Sequence, residues 1–591
     1  MTGPSQGSRR LVSLALAVLV IAAFQAAGHA YYRDFRIPQG TGMAHLLPEE
    51  LAFLALFTVF GLALWALLAA ALFGTAVAAG LEAKGREASA HPWWTAAVLG
   101  AMVTVACAWV GRDVLRGGVV TDDEHVYRFI AETLRTGAVV APSPGQDLPF
   151  FVEQFVVVNE TSRYGKYPLG HPLVLALAQA VHLERWVMPL VTGLIAWPLA
   201  SIGLRNYGAT RTVLALLLFA TSPQVVFTGA TYLSQPTSAL CLLAGCALLL
   251  AGERAERRAL LLLAASGACF GYGICARPLP GVLFAAAAVA YLWWRARNVA
   301  IRDGRLVVLA AAMALGVGAL LWVNRLQAGS ALTSGYQTFH GVAAGAGGVV
   351  TLLTPVDLPN GTMSIVSNLL RLDAWLFGWP LSLAFLPFAR RRGVHGLAWL
   401  MLGAAMAYRI VSPKAGVGIT GPQYMFEVVP LLCLLTADGL AGVAERVAAR
   451  QGRSDAGLVS AVVLAGLCVS LTLFLPSRLG DLARAGRAQD AVWGRIREQG
   501  VRHALVFHDG VVPPWTGLSW AYFPRCNGPS LDDDVLFVRT IRDGGGLDPD
   551  LSFWRRRFPD RRAMYFGWDQ QSGPFLVDLE SFASGRPGAA R

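Results

Sequence analysis

Apolar residues run along this chain in long blocks, many of 17 residues or more, separated by short segments rich in arginine. Blocks of that length match the hydrocarbon thickness of a bilayer when helical. The pattern predicts thirteen membrane-spanning helices, at 11–29, 51–80, 93–111, 186–204, 209–228, 232–251, 259–276, 279–294, 305–323, 372–389, 394–411, 423–441 and 457–475. Basic residues cluster in the loops at Arg9/Arg10, Lys84/Arg86, Arg205/Arg211, 253–258, 295–305, 390–392 and 446–453. Basic loops stay on the cytoplasmic side, and thirteen crossings put all of them there. His171 to Leu183 is apolar but too short to span with ease. It is expected as a re-entrant or interfacial helix.

This topology leaves 112–170, 324–371 and everything after 476 outside, with the N-terminus cytoplasmic. The chain then divides into two N-terminal helices (1–92), a transmembrane domain (93–475) and a soluble tail (476–591). In the tail, "HALVFHDG" (503–510) and "DVLFVRT" (534–540) read as buried strands among turn residues. A small extracytoplasmic α/β domain is expected there. The first thirty residues fit either a cleaved signal peptide or a retained first helix, and the long apolar run favours the second. The fold class is therefore an all-α polytopic bundle with a small α/β appendage.

Composition agrees. Of 591 residues, 55% are hydrophobic and 15% charged, against about 25% charged in soluble domains. The net charge of +12 is nearly all arginine, with lysine only at 84, 166 and 414. No compact basic domain with interleaved aromatics is present, which argues against a nucleic-acid partner. The eight cysteines form neither a disulfide framework nor a C-x-x-C metal motif. Arginine-rich, lysine-poor usage suits a GC-rich bacterial genome, and the plasma membrane is the expected location.

"TDDEHVYRFIAETLRTG" (121–137) follows an apolar block directly. Thr121 and Glu124 fit a capping box, and acids in a first turn favour the helix dipole. Tyr127, Ile130 and Leu134 recur at helical spacing. Capping accounts for acids here without requiring three. A carboxylate fixed at a helix start beside a membrane can also take a proton from a hydroxyl. A pair such as Asp123 and Glu124 can hold a divalent cation, Mg or Mn, against a phosphate. Further on, "SRYGKYPLGHP" (162–172) places Lys166 in a turn stiffened by Pro168 and Pro172. That lysine suits either a lipid phosphate or a snorkelling interfacial role.

Asp123-Glu124, Tyr127, Ala131 and Gly137, followed by Lys166-Tyr-Pro-Leu-Gly-His-Pro172, resemble the first outer loop of GT-C glycosyltransferases. The similarity is to the branch of protein O-mannosyltransferases and the lipid A aminoarabinose transferase. Segments 222–243, 271–283, 376–383 and 421–430 resemble later parts of bacterial members, so the likeness covers roughly 93–475. It implies a bundle with an outward-facing cavity and transfer of a sugar from a polyprenyl-phosphate carrier to a glycan, lipid or protein acceptor, with inversion. It places Asp123 at the catalytic acid position with Glu124 beside it, and Lys166 near the carrier phosphate.

Tyr167, His171, Arg277, Lys414, Gln423 and Tyr424 are expected to help bind substrate at the same membrane face. Three positions depart from the family pattern: Val126 where some members have arginine, Gln235 near a common aspartate, and Gln423 in place of arginine in Gly-Pro-Arg-Tyr. The departures leave the donor, the phosphate contacts and any metal open. Trp375 and Trp379 are expected at a membrane interface. A transporter or lipid flippase, or an inactive glycolipid-binding relative, would share the helix count. A transporter favours ionisable groups deep in its spans, whereas the candidates here gather at one face.

Overall fold

Helices apolar on every side dominate the computed structural model, which describes residues 6–31, 48–302, 304–343, 358–391, 394–411, 417–451, 457–510, 526–542 and 546–584. Nine helical segments among the described residues are long and apolar enough to cross a membrane, ten if one bent pair counts as a span. Their outer faces carry large apolar side chains such as Leu315, Val307 and Trp94, each at least 70% exposed. Water would not tolerate so wide a coat, but lipid does. The chain is a multi-pass membrane protein.

Helices approach closely where side chains vanish. A Cβ on Gly316 would lie 2.4 Å from the backbone of Gly271, so the helices Ala259–Ala276 and Arg305–Ala328 touch backbone to backbone. Small residues at such contacts replace the hydrophobic drive that lipid cannot supply.

Several expected spans take other forms. The 51–80 block is a helix to Leu72, then a separate helix Ala76–Ala90. The 209–228 block bends by 55° between Ala220 and Pro223. The 279–294 block lies in the helix Pro278–Arg302, whose apolar part, Pro278–Tyr291, is short for a span. The 372–389 block is not a spanning helix. A helix ends at Trp375, Gly378 and Leu381 take positive φ of 70° and 57°, and a 3-10 turn runs from Ser382 to Phe388. Trp375 and Trp379 lie in the core rather than at an interface. Trp379 stacks on Trp65 at 5.5 Å, and Trp375 meets Phe474 edge-on. His171–Leu183 contributes an 11-residue helix, Gly170–Ala180.

The two ends of the bundle differ in chemistry. At one end the basic loops knit together. Arg211 and Arg390 both reach the buried Asp438 at 2.8 Å, Arg254 donates to the Arg205 carbonyl, and Arg305 donates to the Glu253 carbonyl. At the other end lie the acidic stretch, Lys166, Ser234 and Arg277. The helix Gln235–Arg254 links them with 20 residues, about 30 Å at 1.5 Å per residue. That is one bilayer thickness.

The tail holds a four-stranded sheet in the order Val535–Arg539, Ala504–His508, Arg562–Asp569, Gly573–Asp578. The first three strands run parallel and the last is antiparallel. This domain is fastened to the 112–170 segment. Phe150 stacks on Phe553 with ring centroids 3.9 Å apart. Arg163, fully buried, reaches Glu153 at 3.4 Å and donates to the Gly528 carbonyl at 2.7 Å. Asn527 donates to Glu153 from both its backbone and its side chain, at 2.8 and 2.9 Å. Burial raises the Glu153 pKa, and Arg163 opposes that rise.

Arg163→Met should leave Glu153 buried without its counter-charge and Gly528 without its donor. The expected cost is about 3–5 kcal/mol, read as a lower unfolding midpoint and faster proteolytic release of the tail. Unchanged melting and proteolysis would contradict this account of the fastening.

Candidate active site

Thr121, extended at φ −139°, opens the helix Asp122–Arg135. Glu124 is fully buried and closes the capping box from its own side: Oε1 accepts from the backbone N–H of Val120 and Thr121 at 2.9 and 3.0 Å. Its Oε2 accepts from Tyr232 N at 2.8 Å. Tyr232 precedes the helix Gln235–Arg254, so one carboxylate joins the 112–170 segment to the bundle. Both oxygens are engaged, so Glu124 fixes the turn through its hydrogen bonds. The helix then lies flat on the strand Ser162–Gly165. A Cβ on Gly165 would lie 2.6 Å from Ile130 and 2.7 Å from Val126. Val126 is wholly buried there, so this fold has no room for an arginine at that position. Arg128 instead pairs with Glu184 at 2.8 Å.

Asp123 is half-buried and turned toward the turn that carries Lys166. The Tyr167 hydroxyl donates to Asp123 Oδ1. Lys166 is buried, with its ammonium 3.3 Å from the Phe155 ring centroid and 5.1–5.5 Å from those of Tyr167, Tyr336 and Phe339. Such a cage holds a cation where water is scarce. Asp122 lies nearby. Burial and the Asp123 charge raise its pKa well above the ordinary value, with Lys166 pulling the other way.

A second chain of groups reaches the same place. The Tyr127 hydroxyl sits 3.1 Å from Ser234 Oγ, which also accepts from Arg277 at 3.3 Å. Arg277 Nε is 2.9 Å from Glu427 Oε1. Arg277 and Arg409 both face the Tyr424 ring, at 5.9 and 4.4 Å. Gln423 is buried and contacts Thr420 at 3.4 Å. Arg409 thus brings a guanidinium to the turn where Gln423 carries none. His171 has both ring nitrogens occupied, by the Tyr232 carbonyl at 2.8 Å and Thr237 Oγ1 at 3.0 Å. Burial lowers its pKa to about 4, so it stays neutral and braces the turn. Lys414 lies outside the described residues.

The structure therefore brings together Asp123, Lys166, Tyr167, Arg277 and Tyr424 and gives Glu124 and His171 supporting places. Arg409, Tyr336, Phe155 and Ser234 were not anticipated. Arg409 sits in an apolar block, and Phe155 and Tyr336 in segments between spans that carry no motif, so nothing in the local pattern singles them out. The Asp123–Glu124 pair does not fit a metal, because both Glu124 oxygens face N–H donors and Asp123 Oδ1 faces a hydroxyl. What the arrangement offers is a carboxylate beside a group of cations that suits a phosphate leaving group.

No family model and no curated protein matches this chain. Among solved structures it is similar to ArnT from Cupriavidus metallidurans bound to undecaprenyl phosphate, at 14% identity and TM-score 0.47 over 79% of this chain and 92% of that one. It is also similar to the oligosaccharyltransferase AglB from Archaeoglobus fulgidus in complex with an inhibitory peptide and a dolichol-phosphate. That match has 11% identity and TM-score 0.37 over 72% and 64% of the two chains. These likenesses assign no residue.

Burial raises the Glu124 pKa from 4.5 to about 7 against the pull of its hydrogen bonds. The folded protein then holds a proton that the unfolded chain lacks between those values. Stability from this group should rise as pH falls from about 7 to about 4.5, by roughly 3 kcal/mol in all, and level off outside the window. Melting midpoints of wild type minus those of Glu124→Gln should fall with rising pH across that window. A flat or rising difference would contradict the assignment.

Proposed function

We propose that the protein is an integral membrane glycosyltransferase that moves a sugar from a polyprenyl-phosphate carrier to an acceptor hydroxyl outside the cytoplasm. The observation that carries this reading is the meeting of Asp123 with Lys166, Arg277 and Arg409 at one end of an apolar bundle. A carboxylate among cations at a membrane face suits a reaction whose leaving group is a lipid-borne phosphate. The first-outer-loop resemblance to GT-C enzymes points the same way. The site then faces outward, the basic loops face the cytoplasm, and the membrane is the bacterial plasma membrane.

In this mechanism the acceptor hydroxyl gives its proton to Asp123 as its oxygen bonds the anomeric carbon. The bond from that carbon to the phosphate oxygen breaks, and the electron pair leaves with the carrier phosphate. Attack comes from the opposite face, so the configuration inverts. Tyr167 holds Asp123 Oδ1 and directs the other oxygen to the acceptor. Lys166 and the Arg277–Arg409 pair offset the charge on the departing phosphate, which is worth most where water is excluded. The Coulombic benefit requires no metal, since the cations are built into the fold.

Sugar transfer from a panel of radiolabelled polyprenyl-phosphate sugars should be measured in membranes holding matched amounts of wild type, Asp123→Asn or Thr121→Ala. Asp123→Asn should lose about 10²–10⁴-fold in rate. Thr121→Ala should keep most activity and lose about 0.5–2 kcal/mol of stability. Equal transfer by wild type and Asp123→Asn would overturn the assignment.

A further inference from the structure

Beside the donor-binding groups lies an open cleft of about 530 Å³ that the reaction above leaves unassigned. Its polar lining comes from Asn159, Thr161, Ser162, Tyr164, Gln327 and Thr338, and none of its lining residues is charged. The volume falls within the range of small-ligand sites, about 300–1,000 Å³.

The cleft shares two walls with the Lys166 cage. Tyr164 lines it from the strand Ser162–Gly165, and Lys166 follows two residues on, about 7 Å at 3.3 Å per residue. The helix Gly335–Ala343 gives Thr338 to the cleft and Tyr336 and Phe339 to Lys166. Gly335 packs on the Lys166 backbone, where a Cβ would lie 2.7 Å from its carbonyl oxygen. A molecule seated in the cleft is thus one thin wall from the Lys166 ammonium.

The polar groups are held rigidly. Asn159 Oδ1 accepts from the N–H of Thr161 and Ser162 at 3.0 and 2.8 Å, which fixes the amide and leaves Nδ2 unspent among the described residues. Across the cleft Gln327 Nε2 donates to the Val139 carbonyl at 3.2 Å, leaving Oε1 as an acceptor. Tyr164 and Thr338 also line it, close enough to interact. Amides and hydroxyls that both donate and accept match a ligand whose own groups do both. An anion would call for cations here, a cation for carboxylates, and a lipid tail for an apolar lining.

We propose that this cleft binds a neutral saccharide, the glycan that receives the transferred sugar. The proposal rests on the transfer reaction only for the word "receives"; the binding stands separately. Full-length protein in nanodiscs should be titrated, with ligand-observed NMR, against neutral trisaccharides (maltotriose, cellotriose, mannotriose) and the acidic trigalacturonate. Each is presented free and on a lipid anchor, which separates a soluble glycan from a glycolipid.

At least one neutral trisaccharide should bind saturably to wild type and to Asp123→Asn. Thr161→Trp, at an exposed turn, should weaken it by about tenfold or more by filling the cleft, and Gln327→Ala should weaken it less. Unchanged melting midpoints guard against misfolding. Absence of saturable neutral binding, preference for trigalacturonate, or equal binding by Thr161→Trp would overturn the proposal. Binding that follows this pattern without any sugar transfer would sink the reaction and keep the cleft. Transfer with an unaltered acceptor KM in both cleft variants would sink the cleft and keep the reaction.

Discussion

The Glu124 carboxylate holds the 112–170 segment to the helix bundle, and the site depends on that hold. It takes three backbone N–H groups, from Val120, Thr121 and Tyr232, in a place closed to bulk solvent. Each would otherwise be a buried donor left unpaired, at about 1–3 kcal/mol apiece. With the loop so fixed, Asp123 has one direction to face. The helix that follows can press on Gly165, and the strand containing Gly165 delivers Lys166 and Tyr167.

Charges are kept at the two ends of the bundle and are paired or caged there. Asp438 lies between Arg211 and Arg390 at one end, and Glu427 faces Arg277 at the other. Lone charges inside an apolar bundle would be expensive, so such groups come in compensating sets. At the site end Lys166 lies among the rings of Phe155, Tyr167, Tyr336 and Phe339. Aromatic faces stabilise a cation without neutralising it. The tail domain, fastened through Glu153, Arg163 and Asn527, fixes the same loop from outside.

Much of this was legible in the sequence because it is written in rare residues. Three lysines in 591 residues made Lys166 conspicuous, and three acids after an apolar block made Asp123 so. The two tail strands read correctly because apolar runs between turn residues leave few alternatives, whereas Arg562–Asp569 and Gly573–Asp578 interrupt their apolar character with Gly567, Asp569 and Pro574. Composition failed where local geometry decided. The 372–389 block is apolar enough to span, but Gly378, Pro380 and Leu381 turn the chain, and its tryptophans fill the core between helices. Arg409 was hidden because an arginine at the end of an apolar block reads as a topology signal. Its value lies in meeting Tyr424 from another helix, which no local pattern records.

In the proposed reaction, carrier binding and proton transfer belong to different residues of one site. The most direct measurement is donor affinity and single-turnover transfer, taken together, for Asp123→Asn and Lys166→Met in the purified protein. Asp123→Asn should bind the polyprenyl-phosphate sugar about as tightly as wild type while its transfer rate collapses, and Lys166→Met should bind it more weakly. Loss of donor affinity in Asp123→Asn with an unchanged rate from the bound state would contradict the account.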